Sequence, residues 1–136
     1  MSYFLAKTDP ETYSLADLER EKKAVWDGVT NSQAVRAIRA MRPGDRVFIY
    51  HSGGESAIVG LATVRSEPRD DPHNPKSAVV DLEFIARLEP PTTLAEIKQS
   101  KKFEDWALVR QGRLSTMSAP ENFVEWMRGR YPGAGL

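Results

Sequence analysis

The sequence predicts an α+β fold in which a small, strongly curved mixed sheet, or pseudobarrel, is flanked by short helices. Apolar segments of strand character recur along the chain, but they are too short for an open parallel sheet. Between them lie short amphipathic segments that open with helix-capping residues. The 136 residues fit one domain, 1–136, of which residues 132–136 are expected to form a flexible tail.

The predicted strands are rich in β-branched and aromatic residues and end at glycine, proline or polar turn residues. In chain order they are 3–6, 47–51, 57–65, 78–88 and 112–117. Gly60 lies inside the third strand, where a bulge or the close approach of another group is expected. The segment 67–77 contains three prolines and predicts a long loop, and Pro90-Pro91 is expected to end the fourth strand.

The predicted helices begin at polar residues that can cap the first turn, followed by apolar residues at helical spacing. They are 15–22 capped by Ser14, 31–42 capped by Thr30, 94–99 capped by Thr93, and a last helix capped by Ser118. A further helical turn is expected within 103–109. Trp26 and the turn residues after it are predicted to lie outside regular structure.

The composition is that of an ordinary globular protein, with 40% hydrophobic and 28% charged residues. The absence of cysteine excludes a disulfide framework, a thiolate zinc site and a cysteine nucleophile. Only His51 and His73 could supply imidazole, so we expect neither a metal site nor a cofactor. The N-terminus lacks the features of a signal peptide and no apolar run could span a bilayer, which predicts a cytoplasmic protein without a membrane partner. We expect it to be a monomer.

Nineteen basic and nineteen acidic side chains balance, which argues against a protein that coats duplex nucleic acid by bulk charge. Their distribution is uneven: residues 31–65 carry five bases and two acids, 98–130 carry seven and four, and 66–97 carry three and seven. If the two basic segments fold together, they form one modestly positive face that can position a few phosphates. Solvated charge on separate faces is the alternative.

Four groups of residues resemble the signatures of the EVE domain, a member of the PUA-like group. In chain order they are Lys7-Thr8-Asp9-Pro10 with Tyr13-Ser14, Trp26-Asp27-Gly28-Val29 with Asn31, Tyr50-His51-Ser52 with Gly60, and Arg110-Gln111-Gly112-Arg113-Leu114-Ser115. No single group is specific, but four in register are, and together they span nearly the whole chain. The resemblance implies a PUA-like fold.

Three residues depart from the family pattern. Thr8 and Asp9 stand where the family has serine and glutamate, and the shorter carboxylate lies one methylene further from any ligand. Ser77 occupies a strand-leading position where the family often has tryptophan, so one aromatic wall of the expected pocket is missing. The identity of the ligand therefore stays open.

The resemblance implies a non-catalytic module that binds nucleic acid and recognises a modified base of DNA or RNA. The expected pocket residues are Lys7, Thr8, Asp9, Trp26, Asn31, His51, Ser52 and Gly53. The expected phosphate contacts are Arg36, Arg39, Arg110, Arg113 and Ser115. Trp26 is the strongest candidate, because a planar face beside free backbone donors suits a flipped base, although a core aromatic is the alternative.

Two other functions are compatible with the residues. An enzyme acting on a modified nucleotide or base would use Asp9 as general base and His51 as acid, and it requires both groups in one pocket. No sequence-adjacent acid orients His51, and a satisfied core histidine is its alternative role. The third function is a protein-interaction domain whose pocket is vestigial.

Overall fold

A seven-stranded mixed sheet forms the centre of the protein and five short helices lie around it. The computed structural model describes all of residues 1–136. The strands are β1 (Tyr3–Thr8), β2 (Lys23–Trp26), β3 (Arg46–His51), β4 (Ala57–Val64), β5 (Arg69–Asp71), β6 (Asn74–Thr93) and β7 (Thr116–Ser118). The helices are α1 (Leu15–Glu21), α2 (Ser32–Ala40), α3 (Leu94–Ser100), α4 (Ala107–Arg110) and α5 (Glu121–Arg130).

The strands follow the order β2-β6-β4-β3-β1-β7, and β5 pairs with β6 beside this path. Only β1 and β3 run parallel, with Thr8 opposite His51 at their ends. The sheet stays open, because its edge strands β2 and β7 do not pair with each other. The predicted small mixed sheet with flanking short helices is confirmed, whereas a closed barrel is not formed.

The predicted strands 3–6, 47–51 and 57–65 agree with β1, β3 and β4, and the capping boxes at Ser14 and Thr93 are present. These elements are marked by local patterns: dense apolar runs for strands, and a hydroxyl followed three residues later by a carboxylate for helices. The last predicted strand is shorter than expected, since β7 contains only three residues.

The segment 67–77 is not the predicted long loop, because most of it forms a hairpin between β5 and β6. The pairing begins with Arg69 opposite Val79. The carboxylate of Asp71 accepts a hydrogen bond from the backbone N–H of His73 at 2.8 Å, which closes the turn. The turn-forming residues therefore connect two strands directly instead of forming an open loop.

Pro90-Pro91 does not end β6, contrary to the prediction from sequence. β4 pairs Gly60 with Arg87 and Ile58 with Thr92, so the residues between Arg87 and Thr92 have no partners in β4. Proline lacks a backbone N–H and is tolerated in such a bulge. The strand accordingly continues on its far side.

Two predicted helix caps are wrong. α2 is capped by Asn31 and not by Thr30, since the carboxamide oxygen of Asn31 accepts two backbone N–H groups of the first turn at 2.8 and 3.1 Å. Ser118 lies in β7, and Pro120 takes the N-cap position of α5 without any side-chain hydrogen bond. In both cases a neighbouring residue with extended backbone occupies the cap.

Strand β2, like the short β5, is an element that the sequence did not predict. Its four residues pair with the middle of β6, with Trp26 opposite Val80. Trp26 therefore ends a strand, where a loop was expected. As an edge strand β2 leaves Val25 51% exposed, and this partly polar segment lacks the dense apolar pattern of the inner strands.

A cluster of thirty-four buried apolar residues forms the core on both sides of β3 and β4. Phe123 lies at the centre of its aromatic residues. The centroid of its ring is 4.4 Å from that of Trp106, 5.1 Å from that of Phe103 and 5.5 Å from that of Phe48. Trp106 is buried, whereas Trp126 is only half-buried at the edge of the cluster. None of the helices is long and apolar enough to cross a membrane.

Candidate functional site

A cavity of about 970 Å³ lies between the end of β1 and the edge strand β2, and we call it the β1–β2 cavity. Its polar side comes from the turn after β1 and from the segment before β7, and its apolar side comes from β2. The predicted site residues that line it are Lys7, Thr8, Asp9, Trp26 and Ser115. The fold thus brings together groups that are more than one hundred positions apart in the chain.

Trp26 forms a wall of this cavity although it is only 7% exposed. Its ring packs edge-on against Tyr13, with the centroids 6.1 Å apart. The indole N–H of the equally buried Trp106 donates to the carbonyl of Ser118 at 2.9 Å, whereas that of Trp26 has no partner within the protein and is not enclosed. Beside it, exposed Val25 adds an apolar contact. This side of the cavity offers a small part of an aromatic ring and an aliphatic surface.

The polar side of the cavity is held by short hydrogen bonds. The Lys7 ammonium donates to the carbonyl of Gly112 at 2.9 Å and lies 5.4 Å from the ring centroid of Tyr50. Burial lowers the pKa of Lys7 below its ordinary value. The Thr8 hydroxyl donates to the carbonyl of Tyr13 at 2.6 Å, and the Asp9 carboxylate accepts the N–H of Glu11 at 2.9 Å. These bonds fix the turn, and exposed Asp9 keeps acceptor capacity for a ligand.

Tyr13 closes the cavity between its two sides, and sequence reasoning missed it as a site residue. Its hydroxyl donates to the carboxylate of Glu21 at 2.5 Å. Burial, followed by the hydrogen bond to Glu21, raises the pKa of Tyr13 well above its ordinary value, so the phenol stays neutral. The available signal was its place beside the polar turn in the Tyr13-Ser14 pair.

Ser77 holds the loop after Trp26 in place through a hydrogen bond. It is buried, and its hydroxyl donates to the carbonyl of Val29, which lines the β1–β2 cavity. A tryptophan at this position would need the space that Ser77 and the loop now fill. This residue therefore acts as an anchor for the cavity wall.

The predicted phosphate contacts separate into different places. Ser115 lines the β1–β2 cavity, and Arg113 is exposed two residues before it and enters no ion pair. Arg39 is bound to Asp70 at 2.9 Å and Arg110 to Asp105 at 3.2 Å. Arg36 lines another cavity, described below. Arg36 and Arg113 are thus the two of these four arginines without an ion pair, and of these only Arg113 lies close in sequence to the lining of the β1–β2 cavity.

Four further predicted pocket residues do not line the β1–β2 cavity. The side chain of Asn31 caps α2, and exposed Ser52 donates its backbone N–H to the carbonyl of Thr8 at 3.0 Å. Gly53 lies under the polar turn, where an added Cβ would come within 3.2 Å of the Asp9 carboxylate oxygen. These residues support neighbouring parts of the site, and their direct contact with a ligand stays a prediction.

His51 is the fourth of these residues, and it lines a separate cavity of about 490 Å³ next to α1. Its Nε2 accepts the backbone N–H of Leu15 at 3.0 Å, so the imidazole satisfies a free donor in the first turn of α1. Burial, and then the nearby positive charge of Arg87, lower the pKa of His51. Only the neutral ring can accept this hydrogen bond.

We expect the protein to become less stable as the pH is lowered, because protonation of His51 breaks its hydrogen bond to Leu15. A histidine whose folded-state pKa is below its unfolded value of about 6.5 contributes stability that is complete above that pH and is lost as the pH falls through the folded pKa. The free energy of unfolding should therefore decrease between about pH 7 and pH 5 more steeply in the wild type than in His51→Gln, which keeps an acceptor but does not titrate. Chemical denaturation at each pH measures both slopes.

The exposed His73 provides the control for this experiment. His73→Gln should retain the wild-type pH dependence, because its side chain lies in the β5–β6 turn and takes part in no helix cap. Equal slopes for the wild type and His51→Gln would contradict the role given to His51.

No group of three or more His, Asp or Glu side chains in the structure could hold a metal ion. The polar side chains that line the β1–β2 cavity are instead two lysines, three carboxylates (Asp9, Glu21 and Asp27) and several hydroxyls. Such groups form hydrogen bonds to the edge of a planar polar ligand, and the aromatic and aliphatic wall covers its faces.

Comparison with known proteins identifies relatives of this chain. The family model of the EVE domain matches residues 2–129. Thymocyte nuclear protein 1 of Rattus norvegicus is 33% identical over 125 residues, which cover 71% of this chain and 55% of the rat protein. The human protein of the same name is also 33% identical over 125 residues, 71% of this chain and 56% of its own length. This chain thus spans about half the length of the curated relatives it matches.

Solved structures resemble the whole chain. A hypothetical protein from Leishmania major has a TM-score of 0.88 and 30% identity, covering 97% of this chain and 96% of that one. Human THYN1, solved in complex with 5-methylcytosine-containing DNA, has a TM-score of 0.86 and 25% identity, covering 95% of this chain and 96% of that one. On the family match across nearly all of its residues, this protein belongs to the EVE domain family.

Proposed function

We propose that this protein is a non-catalytic module that binds nucleic acid and takes one modified base into the β1–β2 cavity. The observation that carries the proposal is the likeness to human THYN1, which was solved with 5-methylcytosine-containing DNA and matches 95% of this chain. Nucleic acid in which the modified base is flipped out of the strand is the proposed ligand, and DNA is the first choice because of that complex.

The shape and chemistry of the β1–β2 cavity support the proposal. Its volume of about 970 Å³ has room for one base with its sugar. A modified base differs from its parent by a group as small as a methyl, so recognition requires an apolar surface at the modification and polar groups at the base edge. Val25 and Trp26 provide the first, and Lys7 and Asp9 provide the second.

The positions of the two candidate catalytic groups support a function without catalysis. Asp9 lines the β1–β2 cavity, whereas His51 lines the cavity next to α1 and is engaged by the N–H of Leu15. General acid–base catalysis requires both groups within reach of the same reacting atoms. We therefore expect modified nucleosides and oligonucleotides to remain unchanged after incubation with the protein.

A binding screen tests the proposal directly. Fluorescence anisotropy should be measured with oligonucleotides that differ only in one base, such as cytosine and 5-methylcytosine, in single-stranded DNA, duplex DNA and RNA. We expect at least one modified oligonucleotide to bind ten times more tightly than its unmodified parent, and this preference should persist when salt is raised. Equal affinities that respond only to salt would leave non-specific phosphate contact and reject base recognition.

Arg113→Glu is expected to weaken binding without changing the preference among bases. Arg113 is exposed and in no ion pair, so it is free to contact a phosphate beside the cavity. Removing one phosphate contact should reduce the slope of log affinity against log salt by about one. The slope is obtained from titrations at four or more salt concentrations.

Arg110→Glu is the matched control, because Arg110 belongs to the same segment but is bound to Asp105. It should change the salt slope less than Arg113→Glu does. If Arg113→Glu keeps the wild-type slope and affinity, the strand follows another path over the surface.

A further inference from the structure

A second large cavity, of about 790 Å³, lies between α2, the segment before α4, and β7, and we call it the α2–α4 cavity. It is separated from the β1–β2 cavity by the segment that leads into β7. Ser115 lines the β1–β2 cavity, whereas its neighbours Leu114 and Thr116 line the α2–α4 cavity. Side chains 114, 115 and 116 of this extended segment thus point alternately toward the two cavities.

A buried hydroxyl without a partner lies in the wall of the α2–α4 cavity. Thr116 is 1% exposed, and its Oγ1 forms no hydrogen bond in the protein. Burying a hydroxyl in this state is unfavourable, and buried polar groups in folded proteins are nearly always paired. Thr116 lies in the wall of the cavity with its Oγ1 closed off from solvent, so a polar atom of a ligand provides the missing partner when it enters that wall beneath the neighbouring side chains.

The charge around this cavity favours an anion. Arg36, Lys101 and Lys102 line it and enter no ion pair within the protein. The lining also contains two carboxylates, Glu104 and Asp105, and exposed Asp105 lies 3.2 Å from the guanidinium of Arg110. Three unpaired cations against these two carboxylates leave an excess of positive charge that can hold a phosphate at the mouth of the cavity.

The remaining lining residues favour a nucleotide over phosphate alone. Phe103 and Trp106 also line the cavity, and so do Gln33 and Asn122, which adds two aromatic rings and two carboxamides to its lining. Carboxamides can donate and accept at the edge of a base, and aromatic rings pack against it. We propose that the α2–α4 cavity binds one phosphorylated nucleotide unit, with its phosphate near Arg36 and a polar atom at Thr116.

This nucleotide unit could be a free mononucleotide or part of a nucleic acid strand. The proposal does not rest on modified-base recognition, because it concerns different residues and a different cavity. Its test uses adenosine 5′-monophosphate as the probe, with adenosine and inorganic phosphate as the two partial ligands. Calorimetric titration of the full chain should give an affinity for the monophosphate at least tenfold higher than for either partial ligand.

Two variants test whether the monophosphate binds in the α2–α4 cavity. Thr116→Val, which preserves the shape of the side chain, should weaken the monophosphate about three- to tenfold, the effect of one lost hydrogen bond. The same variant should keep or raise the melting temperature, since it removes a hydroxyl that is unpaired in the free protein. If Thr116 has only a structural role, Thr116→Val should leave the affinity for the monophosphate unchanged and lower the melting temperature. Arg36→Glu should weaken the monophosphate at least tenfold and leave adenosine unaffected.

Lys7→Ala is the control that distinguishes binding in the two cavities, because Lys7 lines only the β1–β2 cavity. This variant should bind the monophosphate like the wild type. The proposal is overturned if the monophosphate binds no better than inorganic phosphate, if Thr116→Val and Arg36→Glu both bind it like the wild type, or if Lys7→Ala abolishes its binding. A saturating oligonucleotide then identifies the source of the nucleotide. Loss of monophosphate binding in its presence assigns the cavity to a nucleotide of the strand, and unchanged binding assigns it to a free mononucleotide.

Discussion

Trp26→Ala is expected to weaken binding to a preferred modified oligonucleotide about five- to tenfold, the low end of the about 1 to 3 kcal/mol of a full base–aromatic stack, because only a small part of the buried ring is exposed. The free energy of unfolding should also fall, by about 3 to 5 kcal/mol, since Trp26 is only 7% exposed and its ring packs in the core. A domain of this size has a total stability of about 7 to 20 kcal/mol, so the variant should remain folded at room temperature. Fluorescence anisotropy and chemical denaturation measure the two effects.

Phe123→Ala provides a control for the loss of stability. Phe123 is fully buried at the centre of the aromatic cluster and lines neither the β1–β2 cavity nor the α2–α4 cavity. Its truncation should lower the free energy of unfolding by about 3 to 5 kcal/mol with little effect on the affinity of the folded fraction. If the two variants lose the same amount of affinity, Trp26 acts only as a core residue and makes no contact with the base.

The parts of the fold that were predicted from the sequence are those with a strong local pattern. β3 is a dense apolar run, and the capping box of α1 places Ser14 and Asp17 at their required spacing. β2 has no such pattern, because it is an edge strand and its middle residue Val25 stays exposed. Its existence depends on pairing with β6, which lies more than fifty positions away in the chain. Local patterns do not contain this information.

The cavity was predicted only in part for a similar reason. The polar turn at the end of β1 could be located because a strand followed by Pro10 must end there, and Trp26 stood out as an aromatic beside turn residues. The partner of His51 could not be predicted, since its imidazole binds the N–H of Leu15, thirty-six positions away. The sequence placed His51 at a strand end but could not determine which cavity it lines.

The arginines show that the sequence does not predict which charged side chains form ion pairs. Arg36 and Arg39 lie on the same helix and are both exposed, yet Arg39 is bound to Asp70 in the β5–β6 hairpin while Arg36 has no acidic partner. Which cation remains free for a phosphate depends on acids brought near by the fold. Charge counts along the sequence therefore indicate how many cations are present, and the three-dimensional structure decides which of them are available.

Gly60→Ala is expected to destabilise the protein by about 1 to 3 kcal/mol, the usual effect of inserting a carbon into a packed core. The close approach predicted at Gly60 is made by Leu15, whose Cδ atoms would lie 2.4 and 2.7 Å from an added Cβ. Leu15 is itself buried, so it can move away only if α1 shifts. Since Tyr13 lies just before α1 and lines the β1–β2 cavity, the variant should also weaken oligonucleotide binding.

The double variant Gly60→Ala with Leu15→Ala tests this mechanism. Leu15→Ala alone should cost about 2 to 5 kcal/mol of stability, because it leaves a cavity against β4. In the double variant the methyl group at position 60 enters that cavity, so the combined loss should be smaller than the sum of the single losses by about 1 kcal/mol or more. Chemical denaturation of the three variants and the wild type completes the cycle. Strictly additive losses would mean that α1 is not held to the sheet by the contact between Leu15 and Gly60.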